Sequence, residues 1–189
     1  MLALPGLTLA VAGLFHPHHM TYDTSWRWFV LHVAGLMVFP LVGWALAELV
    51  HGRSDPLAWV VRVGAYGYAT FYSALDVISG IAAGYVTHEL GPGEPRPEAV
   101  SLLFRIGTPL GHVGSVALIA CCALLTLDLL VRRRAWPALL LVPGAVLVHV
   151  DHIFAPTGVA GMVLLGAGTA GAAWSARRGV ATFRGAGAS

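Results

Sequence analysis

The sequence predicts an all-α, polytopic membrane helix bundle, and three observations predict it. Charged residues make up 11% of the 189 positions, against about 25% in soluble domains, while 57% are hydrophobic. Mean hydropathy is +0.76. Apolar runs recur along the chain at lengths near the roughly 20 residues that a membrane-spanning helix needs. A chain so poor in charge has too little polar surface to coat a water-soluble globule. Residues 1–189 therefore read as a single integral membrane domain.

Six spans are expected, near 2–15, 26–50, 58–87, 100–131, 136–154 and 157–175. The first, within "MLALPGLTLAVAGLF", is short. It resembles a signal-peptide core but lacks the basic start and the Ala-x-Ala cleavage site. It is read as the first helix, with five spans as the fallback. Span 2 begins at Trp26 and span 3 opens on Ala58-Trp59; Trp26, Trp28, Trp59, Trp136 and Trp174 sit near span ends, as interfacial anchors do. The Pro- and Gly-rich segment 91–97 is a loop. Span 4 carries Cys121 and Cys122, which project about 100° apart on a helix and so do not pair with one another. Span 5 ends in "HVDHIFAPTG", 149–158, before the last span.

All eleven basic residues are arginine. Arg53, Arg62, Arg132, Arg133, Arg134, Arg177, Arg178 and Arg184 fall on one side if the spans alternate. By the positive-inside rule that side is cytoplasmic, and both termini lie there. The expected location is a bacterial inner membrane. The formal charge is only +2 and the arginines are scattered, so nucleic acid is not an expected partner. A weak two-hairpin pseudo-repeat also emerges. At an offset of 80, His32 falls on His112 and Glu48 on Asp128. Asp76 and Asp151 stand at comparable distances from the Ala-Trp openings of spans 3 and 5.

The histidines carry the chemistry. Nine are present, and all but His51 fall in the outer half. His32 is six residues into span 2, about 9 Å below Trp26 at 1.5 Å per residue. His112 lies at a similar depth. Two parallel helices can aim such a pair at one centre, and imidazole suits Cu, Fe and Zn as well as haem b. His32 and His112 are therefore the cofactor-binding candidates. His149 and His152 share a helix face and complete a metal-ligand set of His32, His112, His149 and His152. Asp151 is expected on another face, orienting a neighbouring histidine or capping the helix before Pro156. "HPHH", 16–19, reads as a wet interfacial loop that could hold a surface metal.

Asp76 is the catalytic candidate, as ligand, base or orienting group. An ionisable side chain at mid-membrane costs about 2.5–3.5 kcal/mol, and a functional role is the default reading there. The plainer reading is a buried carboxyl bonded to Ser73, a tyrosine or a histidine. Glu48 and Asp128 are expected to pair with nearby arginines. No Gly-x-Ser-x-Gly, His-Glu-x-x-His or phosphate-loop motif is present.

The pattern "FHP…W…LHV", followed by "FYSALDVISGIAAG" and "GTPLGHVGS", resembles small multi-pass bacterial membrane proteins of no assigned activity. The resemblance spans most of the chain and implies no site residue. The leading expectation is a membrane-embedded metal or haem protein, with redox chemistry at a His/Asp site near the extracytoplasmic face. Its partners would be the lipid bilayer and a small lipophilic substrate or quinone. A proton- or ion-coupled transporter using Asp76 and the histidines is the second reading. A metal-free enzyme on lipid or isoprenoid substrates, with Asp76 as acid, is the third.

Overall fold

A computed structural model describes residues 1–93 and 97–186, with side chains described to Ala176. Helix accounts for nearly all of it, and no strand occurs among the described residues. Arg96 in the 91–97 loop, and the side chains of Arg177, Arg178 and Arg184, lie outside the described residues.

Helix α1, Leu4–Phe15, starts with Pro5 in its first turn, where the missing N–H costs nothing. It stops at His16, whose backbone is extended. Helix α2, Tyr22–Glu48, starts from a capping box in which Thr21 N–H donates to Thr24 Oγ1 at 2.9 Å. Helix α3, Pro56–Leu75, is capped by Asp55, whose carboxylate accepts from Ala58 N–H at 3.2 Å. The helix then widens into a π-helix, Asp76–Ala82, and continues as α4, Ala83–Leu90. Helix α5, Glu98–Arg133, ends at Arg134 in the left-handed region. A short 3-10 turn, Trp136–Leu140, leads into α6, Leu141–Asp151, and then α7, Thr157–Ala186.

Among the described residues, four helical runs are long and apolar enough to cross a membrane: Tyr22–Glu48, Pro56–Leu90, Glu98–Arg133 and Thr157–Ala176. The other two expected spans fall on shorter apolar helices, Leu4–Phe15 and Trp136–Asp151. The 12 residues of α1 reach only about 18 Å at 1.5 Å per residue, short of a hydrocarbon core about 30 Å thick. The run Trp136–Asp151 is also short of a span. Both short pieces lie against α7, backbone close to backbone. A Cβ on Gly6 would meet Gly166, and one on Gly144 would meet Gly161 at its carbonyl oxygen. Small residues allow such approach where hydrocarbon offers no hydrophobic drive for association.

The core runs between α2, α3, α5 and α6, filled by Phe39, Tyr68, Leu118 and Leu125. Cys121 and Cys122 are free thiols buried there, and Cys121 donates to the Val61 carbonyl. At one end an ionic clamp closes the bundle. Arg53 holds Asp55 and Asp128, and Arg132 adds a bond of 2.7 Å to Asp128. Glu48 pairs with the exposed His51 at 3.5 Å. Asp128 thus has the structural arginine partners expected of it, whereas Glu48 finds a histidine instead.

The pseudo-repeat does not give matched environments. His32 is 6% exposed, while His112 lies on an exposed face of α5. Asp76 is fully buried at the head of the π-helix. Asp151, its counterpart, is half-buried at the last residue of α6.

Candidate metal centre

Three histidines from three elements meet at the end of the bundle opposite the ionic clamp. His16 enters because α1 is short: the chain turns inward straight after its last residue, and His16 is 5% exposed. His32 comes from α2, and His152 from the turn between α6 and α7. One ring nitrogen from each lies within 4.8 Å of the other two.

The hydrogen bonds identify those nitrogens. His16 Nδ1–H donates to the Pro17 carbonyl at 2.9 Å. His32 Nδ1–H donates to the Trp28 carbonyl, one turn earlier on α2, at 2.7 Å. His152 Nδ1 lies 2.6 Å from the Tyr72 hydroxyl. Every Nδ1 is engaged, so Nε2 is the nitrogen each ring has free for an ion. His16 Nε2 is buried with no protein partner. Metal-ligating histidines show this arrangement, one nitrogen held by an outer partner and the other bearing the free lone pair. Burial, with His32 beside it, lowers the His16 pKa to about 3, so its ring is neutral at pH 7 and its lone pair is available.

Aromatic rings wall the cluster. Trp28 meets His16 edge-on at 4.6 Å and stacks on His32 at 5.3 Å. Phe154 meets His16 at 4.7 Å, and Phe39 stacks on His152 at 5.4 Å. His152 holds φ +50°, a left-handed value uncommon for a residue with a Cβ. Such a conformation costs about 1–3 kcal/mol and persists where the surroundings fix it. Here the Tyr72 bond and the stacking rings fix it.

The π-helix shapes the other wall. Its extra residue turns Gly80 toward His32, and a Cβ there would collide with the imidazole. The Ser79 carbonyl accepts from Trp28 Nε1 at 3.1 Å, which ties α2 to this turn. Single π turns inside α-helices recur at functional sites. Two polar groups remain without protein partners here: the Ser79 hydroxyl and both carboxyl oxygens of Asp76.

A cavity of about 230 Å³ opens beside the cluster, with His32 and His152 on one wall and His112, His149 and Ser79 among its other lining residues. The expected ligand set is therefore divided. His32 and His152 converge, whereas His112 and His149 form a separate pair with ring centroids 5.7 Å apart. The ring nitrogens of His16, His32 and His152 cluster, and His112, expected to share a centre with His32, lies outside that group. Asp151, expected on another helix face than His149 and His152, is also among the residues that line the cavity. Asp76 lies off the cavity lining, beside Gly35, where a Cβ would stand 3.4 Å from its Oδ1. His16 is the residue the sequence reading left at the surface. Its signal was the helix before it, too short to carry the "HPHH" loop clear of the bundle.

No protein-family model, curated protein or solved structure matches the chain.

Proposed function

We propose that the chain is a membrane-embedded metalloprotein that holds one transition-metal ion through Nε2 of His16, His32 and His152. One observation carries the reading: three imidazoles converge, His16 and His32 buried and His152 half-buried, with every Nδ1 already engaged. The separations fit an ion after a small contraction. Nitrogens now up to 4.8 Å apart would close to about 3.3 Å around an ion with bonds of about 2.0–2.1 Å. Three neutral nitrogens suit Zn, Cu or Fe, and oxygen-preferring Ca and Mg fit poorly. Three protein ligands with a fourth position left open is the pattern of a reactive metal site. Here the open side is the cavity.

The packing supports an ion over haem b. The His16, His32 and His152 rings lie within contact range of each other, and Trp28 packs on His16 and His32, which leaves no slot for a flat macrocycle among them. The redox chemistry expected from the sequence belongs to a Cu or Fe occupant, whereas Zn would act as a Lewis acid. The ionic clamp at the far end supports an extracytoplasmic position for the centre, since arginines favour the cytoplasmic side. Asp76 stands one helical turn beyond Tyr72, and that spacing supports an orienting role toward the Tyr72–His152 bond.

A proton- or ion-coupled transporter is the second reading. The fully buried Asp76 carboxyl and the Tyr68 hydroxyl, neither with a protein partner, favour it. The metal-free lipid or isoprenoid enzyme has less support, because Asp76 does not line the cavity. Elemental analysis of the purified protein separates these readings. A stoichiometric metal, lost in His16→Ala, supports the metal centre. Its absence after incubation with Zn, Cu and Fe contradicts it.

A further inference from the structure

The cavity beside the three histidines has its own mouth, and its lining says what enters. The lining residues Thr108 and His112 of α5 and Val150 of α6 are exposed, so the opening lies between these two helices. Its surroundings are apolar. Ile106, Val113 and Val116 of α5 are about half exposed, and Val150 is 68% exposed. Exposed valines and isoleucines along α5 face hydrocarbon in a chain that crosses a bilayer, and Val150 joins them near the end of α6. A portal placed there admits a molecule dissolved in the membrane.

Inside, two polar groups await a ligand. Ser79 is 4% exposed, lines the cavity and has an unpartnered hydroxyl. A helical serine ordinarily donates to the carbonyl one turn earlier, and here it does not. The second group is His149. The Ser115 hydroxyl gives its one proton to the His112 carbonyl at 3.1 Å, so its oxygen accepts from His149 Nδ1–H at 2.8 Å. In the neutral ring His149 Nε2 therefore bears the lone pair. Beside the polar Thr108, His112 and Asp151, the cavity thus offers the Ser79 hydroxyl as a donor and His149 Nε2 as an acceptor, with Trp28, Leu75 and Phe104 as apolar wall. A hydroxyl is the small neutral group that can both accept from Ser79 and donate to His149.

We propose that this cavity binds a membrane-dissolved amphiphile with a small neutral hydroxyl head, which enters between α5 and α6 and is held by Ser79 and His149. Its placement beside a metal rests on the metal-centre reading; the portal and the head-group contacts are independent of it. The head must be compact, because about 230 Å³ lies below the roughly 300–1,000 Å³ of drug-sized pockets. The apolar tail extends through the mouth into lipid.

The test uses a photoreactive medium-chain aliphatic alcohol that carries a diazirine near its hydroxyl, with the intact protein in lipid nanodiscs. Adducts mapped by mass spectrometry are expected on Trp28, Leu75 or Phe104. They should disappear when the mouth is plugged in Thr108→Trp or Val150→Trp, both substitutions at exposed positions. Ser79→Ala should weaken half-saturation about three- to tenfold, the scale of one hydrogen bond. Adducts confined to outward residues such as Val113 and Val116 would overturn the proposal, as would cavity adducts indifferent to both plugs. Photolabelling needs no metal. A protein that labels in the cavity but binds no metal would refute the metal centre and leave the portal standing.

Discussion

Tyr72 reaches the centre through a single bond, its hydroxyl 2.6 Å from His152 Nδ1. Removing an outer partner of a ligating histidine costs about 10–100-fold in metal affinity. Tyr72→Phe should therefore weaken metal binding by that range while one ion still binds at saturation. Unchanged affinity, measured by competition with a chelator, would remove Tyr72 from the site. At this scale the sequence revealed His32, because an imidazole inside a hydrocarbon span needs a reason to be there. It revealed His152 through its place in "HVDHIF". It hid His16, since His18 and His19 on the same loop are exposed and the three read alike. It overstated His112 because a shared depth on two helices says nothing of which way each ring points.

The π-helix is the element on which the site depends, and Gly80 is its closest approach. Gly80→Ala would drive a Cβ into the His32 ring. Overpacking of this kind costs about 1–3 kcal/mol, and the displaced imidazole should lose the metal. Gly93→Ala is the control, since nothing lies within 4 Å of a Cβ there. Equal thermal stability and equal metal binding in the two variants would contradict the packing described. "DVISGIA" has no proline, and its one glycine is tolerated inside a helix, so periodicity alone reads it as ordinary helix. The opposite end of the bundle makes a separate prediction. Asp128 is buried and held by Arg53 and Arg132. Asp128→Ala removes one of the two carboxylates on Arg53 and leaves Asp55 in place, at a cost on the order of 1–2 kcal/mol. A melting temperature unchanged in detergent would show the clamp to be incidental. The Arg53 hydrogen bond lowers the Asp55 pKa from 3.8 to about 2. Its contribution to stability is therefore full above about pH 4 and fades as pH falls through 2.

For the whole molecule, composition announced the class and helix length set the count. Low charge and long apolar runs were enough to read a membrane bundle. They could not distinguish a full crossing from the short helices α1 and α6, both of which pack on α7. That distinction decides function, because the shortness of α1 brings His16 inside. The bundle orientation predicts that single cysteines at His18 and His88 react with a membrane-impermeant thiol reagent from the extracytoplasmic side, in a background without Cys121 and Cys122. Labelling from the cytoplasmic side would invert the topology. The central claim meets its most direct test in metal stoichiometry. Protein purified in detergent and loaded separately with Zn, Cu or Fe should bind one ion per chain of at least one of these metals. It should lose that ion in His16→Ala, His32→Ala or His152→Ala, and keep it in His112→Ala. A chain that binds none of the three metals, or one that keeps its ion without His16 and loses it without His112, would contradict the account.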